Sequence, residues 1–189
     1  MIFGNPSVFA IESGIARAYQ RLSQRALGYF VIHVDGSCYG NHSSEATMLA
    51  CSFDAVKERI ACRGKHNAPF AAEPNANIIV DAICAAIYDS GRQDEFFWGM
   101  SCAEFSDLVY SNKLIWAPDG DEAFDDGSYV LQFDVVDRVR LIAFTFNETG
   151  DYATSNLVDR WINADEFYGI LDKWQHAFEE EWMAAPKCE

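Results

Sequence analysis

The sequence has few basic residues for its length. Its 189 residues include 14 Lys and Arg against 29 Asp and Glu, which gives a formal net charge of −15 at neutral pH. A surface this acidic repels nucleic acid, because binding to nucleic acid depends on cations that neutralise its phosphates. An anionic membrane surface repels the protein for the same reason. We therefore expect neither nucleic acid nor a membrane among its partners.

The sequence also lacks a long apolar run and a Cys-x-x-Cys pair. Residues 78–88 form its most apolar stretch, which Asp81 interrupts and which is far shorter than a membrane span. The residues before Pro6 contain neither the basic region nor the apolar region of an export signal. The six cysteines fit no zinc-site spacing, and a chain of this size does not need disulfides. These features predict a cytoplasmic protein with reduced cysteines.

Motifs for catalysis and for cofactors are missing as well. The sequence contains no Gly-x-Ser-x-Gly elbow, no glycine-rich phosphate loop and no His-Glu-x-x-His pair. Counted from Asp119, an EF-hand needs an oxygen ligand where Ala123 stands and a glycine where Phe124 stands. We expect a non-enzymatic protein with no catalytic, cofactor-binding or metal-binding residues. The sequence leaves open a small hydrolase or transferase whose Cys, His and Asp residues meet only in the fold.

The apolar residues that are present predict a folded domain with several strands. Half of the residues are hydrophobic and the mass is 21.2 kDa, which suits a single domain over residues 1–189. Alternation of apolar and polar residues predicts strands at residues 9–15, 29–34, 129–135, 139–146 and 157–162. The third and fourth of these are close enough to form a β-hairpin around Asp137. After Ile15 the alternation blurs, and the apolar spacing up to Ala26 also fits a helix.

Helical spacing and capping residues predict four helices. They begin at Ser52 or Asp54, at Asn75, at a Ser101–Glu104 capping box and at Asn163, and the first three end near Ala61, Ser90 and Tyr110. Strands at both ends of the chain with helices between and after them predict an α+β fold, mainly an antiparallel sheet covered by helices on one face. The predicted core consists of Phe30, Ile32, Leu131, Phe133, Ile142 and Phe144 on strands, and Ile83, Ile87, Ile170, Leu171 and Trp174 on helices.

The negative charge is concentrated in the later part of the chain. Residues 1–72 contain seven basic and five acidic residues, whereas residues 73–189 contain seven basic and 24 acidic ones. Residues 118–127 are rich in acids and contain glycine and proline, which predicts an exposed loop that speeds encounter with a basic protein. Two tryptophans near this loop in the sequence are candidates for the buried contacts of such an interface. The predicted partner-binding residues are Asp119, Asp121, Glu122, Asp125, Asp126, Trp98 and Trp116. The alternative is a solvated acidic shell that keeps the protein soluble.

Three segments at the two ends of the chain resemble a known family. The chain opens with MIFGNPSVFAIES, has GYFVIHVDG at residues 28–36 and has NADEFYGIL at residues 163–171. These segments resemble the bacterial polymorphic-toxin immunity family known as immunity protein forty-two. The resemblance implies a small cytosolic protein that binds a cognate toxin domain tightly and blocks it, with no catalytic residues of its own.

The charge of the chain agrees with that resemblance. Many toxins of such systems attack nucleic acids and have basic substrate grooves, to which an acidic partner is complementary. A cognate toxin domain of basic character is therefore the expected partner. The sequence leaves the oligomeric state of this protein open. A further interpretation is an acidic adaptor or DNA mimic that occupies a nucleic-acid-binding site. It differs from an immunity protein only in the partner that it binds.

Overall fold

The computed structural model describes residues 1–116, 122–146 and 156–188, and within them the α+β prediction is confirmed. The strands are β1 (Ile2–Asn5), β2 (Phe9–Tyr19), β3 (Ala26–Val34), β4 (Ser37–Tyr39), β5 (Thr47–Met48), β6 (Phe96–Phe97), β7 (Met100–Ser101), β8 (Ser128–Val135), β9 (Arg138–Thr145), β10 (Val158–Asn163) and β11 (Lys187–Cys188). The α-helices are α1 (Leu49–Ala61), α2 (Ala76–Tyr88), α3 (Cys102–Ser111) and α4 (Ala164–Ala184).

The larger sheet is built around the long antiparallel pair β2 and β3. β1 and β11 pair with the outer side of β2, and β4 and β5 pair with the outer side of β3. β2 continues to Tyr19, so the helical alternative for the residues just after Ile15 is wrong. The strand register shifts between Ile15 and Arg17, and such a bulge interrupts the alternation of side chains between the two faces. The bulge explains why the sequence pattern blurs at this point.

The smaller sheet has the antiparallel order β10-β9-β8 and contains the predicted hairpin. It is buried on both faces, which differs from the expected sheet with helices on one face only. Its first face contributes to a core with the larger sheet, α1 and α4, and its second face contributes to a core with α2 and α3. The first face presents Val130, Leu141 and Ala143, and the second presents Leu131, Phe133, Ile142 and Phe144. The smaller sheet is therefore a layer that both cores share.

The predicted core residues divide between these two cores. Phe30, Ile32, Leu171 and Trp174 lie in the first core with Ile170, while Ile83 and the four predicted residues of the hairpin lie in the second. All of them are buried. Ile87 is only half-buried and packs against the second core from its edge.

Capping residues set the starts of three helices as predicted. Asn75 accepts a hydrogen bond from the backbone of Asn77, and Ser101 forms a complete capping box with Glu104. The Asn163 side chain accepts two backbone hydrogen bonds at the start of α4. The predicted start of α1 is wrong: the helix begins at Leu49, with no side-chain cap, and Ser52 is buried within it. The contacts of Leu49 and Phe53 in the first core fix this helix in place of a cap.

Candidate partner-binding surface

The acidic segment, residues 122–126, is attached to the first core by its two apolar residues. Ala123 and Phe124 are buried, and the Phe124 ring lies 6.2 Å from that of Phe30 in an edge-on arrangement. The three carboxylates of the segment, Glu122, Asp125 and Asp126, are exposed. The other two predicted acids, Asp119 and Asp121, lie outside the described residues. The described carboxylates therefore face solvent from a backbone that is held in place.

Hydrogen bonds hold two of these carboxylates in position. Asp125 Oδ1 accepts from the Asn41 side-chain amide at 3.1 Å, and Asp126 Oδ1 accepts from the Ser128 backbone N–H at 3.0 Å. The Asn41 backbone N–H also donates to the carbonyl of Ala123 at 2.8 Å. The loop that follows β4 is thus linked to the acidic segment by both its backbone and a side chain.

A cluster of ionisable side chains lies beside the acidic segment, and the sequence does not predict it. Glu12 accepts hydrogen bonds from His33 Nε2 at 2.9 Å, from His42 Nε2 at 3.2 Å and from the Tyr29 hydroxyl at 3.1 Å. Burial alone raises the pKa of Glu12, but these hydrogen bonds and the nearby imidazoles lower it below its ordinary value. The residues come from β2, from β3 and from the loop that follows β4, so no local spacing in the sequence marks the cluster.

The acidic segment and the Glu12 cluster lie next to each other. Asn41 donates to Asp125 of the segment, and the following residue, His42, donates to Glu12 of the cluster. Two consecutive residues of the loop after β4 therefore link the two groups. We call this area the charged face and define it by Glu12, Glu122, Asp125 and Asp126.

Trp116, which the sequence predicts as a partner-binding residue, is buried and does not lie on this surface. Trp116 is 3% exposed, and its ring lies 6.0 Å from that of Phe9 and 5.9 Å from that of Phe167. The Arg59 guanidinium covers it at 4.9 Å. The cause is that the chain after α3 runs beside β8. There the backbone N–H of Trp116 donates to the backbone carbonyl of Val130 at 2.7 Å. Its indole is therefore core material in this structure.

Trp98 is exposed, but the fold places it away from the charged face. It lies in the turn between β6 and β7, is 38% exposed and stacks on Phe70 at 4.6 Å. Phe70 in turn lies 6.0 Å from Phe133. Ser128, at the start of β8, lies next to the acidic segment, and Phe133 is five residues further along the strand. Five residues of a strand span about 16 Å. The two groups predicted to act together thus lie near opposite ends of β8.

A buried polar network joins α1, α4 and the first face of the smaller sheet. Arg59 donates to Gln132 Oε1 at 2.9 Å and to the Ile115 carbonyl at 2.6 Å. Gln132 donates to the Tyr168 hydroxyl at 2.9 Å, and that hydroxyl donates to Asp134 at 2.8 Å. Burial lowers the pKa of Arg59 to about 9, so its guanidinium is still charged at neutral pH. The hydrogen bonds among these groups hold the elements together and satisfy polar atoms that are cut off from water.

The strongest arrangement for the hydrolase alternative is a small cavity at the end of α1. Cys62, His66 and Asn112 are among the residues that line its volume of about 290 Å³. The His66 ring bonds through Nδ1 to the Asn112 carbonyl at 3.0 Å, and its Nε2 has no hydrogen-bond partner among the described residues. The Asp134 carboxylate accepts a hydrogen bond from the backbone N–H of His66, and the Asp134 backbone N–H donates to the carbonyl of His66. Neither bond involves the imidazole, so Asp134 does not orient the ring. A linked nucleophile, base and acid, as that alternative requires, is not assembled in this cavity.

Acidification is expected to destabilise the protein through His66. Burial lowers the pKa of this imidazole, and the charge of Arg59 lowers it further. Below about pH 6.5 the unfolded chain therefore takes up a proton that the folded chain does not, so stability falls as the pH falls, until the folded pKa is reached. Between pH 7.5 and 5.5 the loss amounts to at most about 1.4 kcal/mol.

Urea unfolding of the wild type and of His66→Asn at both pH values measures this effect. Asn keeps a donor for the Asn112 carbonyl but does not titrate. The difference in stability between the two pH values should be smaller in the variant. Equal differences in the two proteins would contradict the assignment to His66.

Within the part of the chain that the structure covers, no group of three or more His, Cys, Asp or Glu side chains is placed to hold a metal ion. Across the same part, no helix combines the length and the apolar character that crossing a bilayer requires.

A solved protein has a fold similar to this one. The crystal structure of CdiI from Burkholderia dolosa AUO158 has a similar fold, with a TM-score of 0.58 over 94% of this chain and 99% of that chain. At 15% sequence identity this likeness concerns the fold. No match was found among curated proteins. The family model of Immunity protein 42 matches residues 1–177, and the chain belongs to this family. The resemblance at the two ends of the chain is thereby confirmed, and it extends through the middle.

Proposed function

We propose that this protein is an immunity protein that binds a cognate toxin domain, encoded beside it, and neutralises it by covering a basic active site. The observation that carries the proposal is the family match over residues 1–177. The net charge of −15 supports the basic character of the partner, since opposite charge speeds and orients association. The proposal assigns the protein to the cytoplasm, where its six free thiols are stable.

The proposed role needs binding and no catalysis by this chain. Two buried ionisable side chains, Arg59 and His66, are engaged in the fold: Arg59 with the smaller sheet, and His66 with the backbone carbonyl of Asn112. The carboxylates of the acidic segment, in contrast, are exposed to solvent on a fixed backbone. A surface of this kind suits recognition of a protein more than it suits a reaction on a small substrate.

The charged face is proposed to guide the toxin domain into the complex. Asp125 and Asp126 already accept hydrogen bonds from Asn41 and Ser128, so binding does not have to order these side chains. Asp119 and Asp121 are included in the proposal because they precede the segment in the sequence. Trp116 is excluded from it because it is buried.

Protection of cells is the direct test of this function. The C-terminal domain of the protein encoded beside this gene is expressed from an inducible promoter, with or without this chain. Growth should continue only when the chain is present, and the two proteins should purify together. Cells that die equally in both cases, with no co-purification, would refute the proposal. Co-purification with a nucleic-acid-binding protein that is not toxic would favour the adaptor interpretation instead.

Removing the charges of residues 119–126 is expected to slow association with the toxin domain. Asp119, Asp121, Asp125 and Asp126 become Asn and Glu122 becomes Gln, which keeps an oxygen acceptor for the bonds of the segment. The association rate at low salt should fall by about tenfold or more and depend less on salt, because steering is electrostatic. The dissociation rate should change less, and stability should barely change. Stopped-flow binding at two salt concentrations measures the first two effects.

A matched pair of variants separates a local effect from that of total charge. Glu122, Asp125 and Asp126 are neutralised in one variant, and the exposed Glu166, Asp172 and Glu180 of α4 in the other. Both variants lose three negative charges. Equal association rates for the two would show that only net charge matters, and that the charged face has no special position in the complex.

A further inference from the structure

The short hairpin formed by β6 and β7, residues 96–101, presents aromatic rings to solvent. Phe96 is 72% exposed and Trp98 is 38% exposed, whereas Phe97 between them is 7% exposed. Large apolar side chains that lie together at a surface are typical of interaction sites. The hairpin connects the regions of α2 and α3, which pack on the second face of the smaller sheet. It therefore packs on the side of the second core and is separate from the charged face.

The backbone of this hairpin is held in an uncommon conformation. Its two turn residues, Trp98 and Gly99, both have positive φ, at 48° and 81°. Such a turn favours Asn-Gly, and a bulky residue in the first place is strained. Stacking compensates here, because the Trp98 ring lies 4.6 Å from Phe70 and 5.9 Å from Phe105, nearly parallel to both. A large ring kept at a strained and exposed position indicates a use beyond folding.

The base of the hairpin is fixed as well, so its rings are presented on a rigid support. Ser101, the last hairpin residue, forms the capping box with Glu104 that starts α3. At the other strand, Arg92 lies over the Phe97 ring at 5.9 Å and donates to Glu95 at 2.7 Å. A partner that binds the rings does not have to order this backbone, which lowers the entropic cost of association.

Carboxylates are frequent in the sequence on both sides of the hairpin, and little positive charge balances them. Residues 76–111 contain six Asp and Glu residues and a single basic residue, Arg92. The Arg92 guanidinium is already engaged by Asp81 at 3.1 Å and by Glu95 at 2.7 Å. Asp94 and Asp107 are exposed near the hairpin in the sequence. Exposed aromatic rings in an acidic segment of the chain match a partner surface that carries Arg and Lys, since cations bind both to carboxylates and to ring faces.

We propose that the aromatic hairpin is the main contact of this protein with a basic toxin domain, with Phe96 and Trp98 buried in the complex. This inference rests on the proposed function. It divides the binding energetics between two places: the charged face governs the rate of association, and the hairpin governs the rate of dissociation. Interfaces commonly draw most of their affinity from a few such aromatic residues.

The test measures binding of the C-terminal domain encoded beside this gene to the variants Phe96→Ala and Trp98→Asn. Asn suits the positive φ of the turn, and Phe96 contributes little to the core, so both variants should fold. Each should raise the dissociation constant by about 30-fold, mostly through faster dissociation. The matched control is Tyr110→Ala on α3, an aromatic residue that is 58% exposed and not part of the hairpin. It should change the constant by less than about threefold.

The outcomes distinguish this inference from the proposed function. If the wild type binds the domain and Phe96→Ala dissociates at the wild-type rate, the hairpin is not the main contact, while the immunity function stands. If the wild type itself does not bind, the proposed function fails. Hydrogen exchange of the wild-type complex gives a measurement that needs no variant. Amides of residues 95–100 should become protected on binding, and unchanged exchange there would overturn the inference.

Discussion

Replacing Arg140 with alanine is expected to reduce the free energy of unfolding by about 3–5 kcal/mol. The Arg140 side chain is 1% exposed and forms a bidentate ion pair with Asp159. Its Nε donates to Asp159 Oδ1 at 2.8 Å, and its Nη2 donates to Asp159 Oδ2 at 2.7 Å. Its remaining nitrogen donates to the carbonyls of Ala71 and Glu73, at 2.9 Å and 2.6 Å. This one side chain therefore joins β9, β10 and the segment that leads into α2.

The cost arises because removing the guanidinium leaves its partners without donors. Asp159, whose side chain is 27% exposed, loses its ion pair, and two carbonyls beside the buried guanidinium lose their hydrogen bonds. Arg140→Lys is the informative control, since lysine keeps the charge but cannot form the two-point contact, and an intermediate loss is expected. Urea unfolding at equilibrium measures both variants. A loss below about 1 kcal/mol for Arg140→Ala would contradict this role.

The second large effect is expected for Phe133→Ala, at about 3–5 kcal/mol. Phe133 is fully buried on the second face of the smaller sheet, 6.0 Å from the Phe70 ring. The substitution leaves a cavity that this close-packed layer cannot fill without moving strands that also support the first core. Phe96→Ala removes the same atoms from an exposed position and should change stability by less than about 0.5 kcal/mol. Thermal and urea unfolding compare the two, and equal stabilities would place Phe133 outside the core.

Phe133 also provides a test of domain organisation. We propose that residues 1–189 form one domain that unfolds in a single step, because the smaller sheet belongs to both cores. Fluorescence and circular dichroism should then report the same transition midpoint in the wild type and in Phe133→Ala. Separate midpoints would mean that the two cores unfold independently.

The elements that sequence reasoning predicts well are those with local signals. The hairpin around Asp137 has clear alternation, and the starts of α2, α3 and α4 each have a capping side chain. The stripe of apolar residues along α4 correctly places Leu171 and Trp174 in the core. In each case the pattern that predicts the feature involves residues that are close in sequence.

Features that depend on distant contacts are those that the sequence does not reveal. Gln132 and Asp134 alternate with apolar neighbours in β8 and are typical of a solvent-facing side, yet Gln132 is fully buried because Arg59 and Tyr168 bond to it. Trp116 is buried because its strand-like segment pairs with β8. The turn at Trp98 lacks the usual Asn-Gly signal, so the hairpin there is not predicted.

The candidate surface shows the same division. Charge alone indicates that Glu122, Asp125 and Asp126 lie outside, since unpaired carboxylates are costly to bury. Which other groups join them depends on strand pairing: β2 and β3 bring Glu12 and His33 together. The separation of Trp98 from the acidic segment follows from the contacts of Phe70 with Trp98 and Phe133, which no spacing in the sequence encodes.

The outer strands of the larger sheet have a consequence for how this protein meets other molecules. The two long strands, β2 and β3, are enclosed by strands of only two to four residues. A long exposed strand has a row of free N–H and C=O groups that can pair with the same strand of another copy. Short outer strands do not present such a row, so they limit pairing between copies. A protein that must remain available to its partner gains from this arrangement, because copies that pair edge to edge are lost to aggregation.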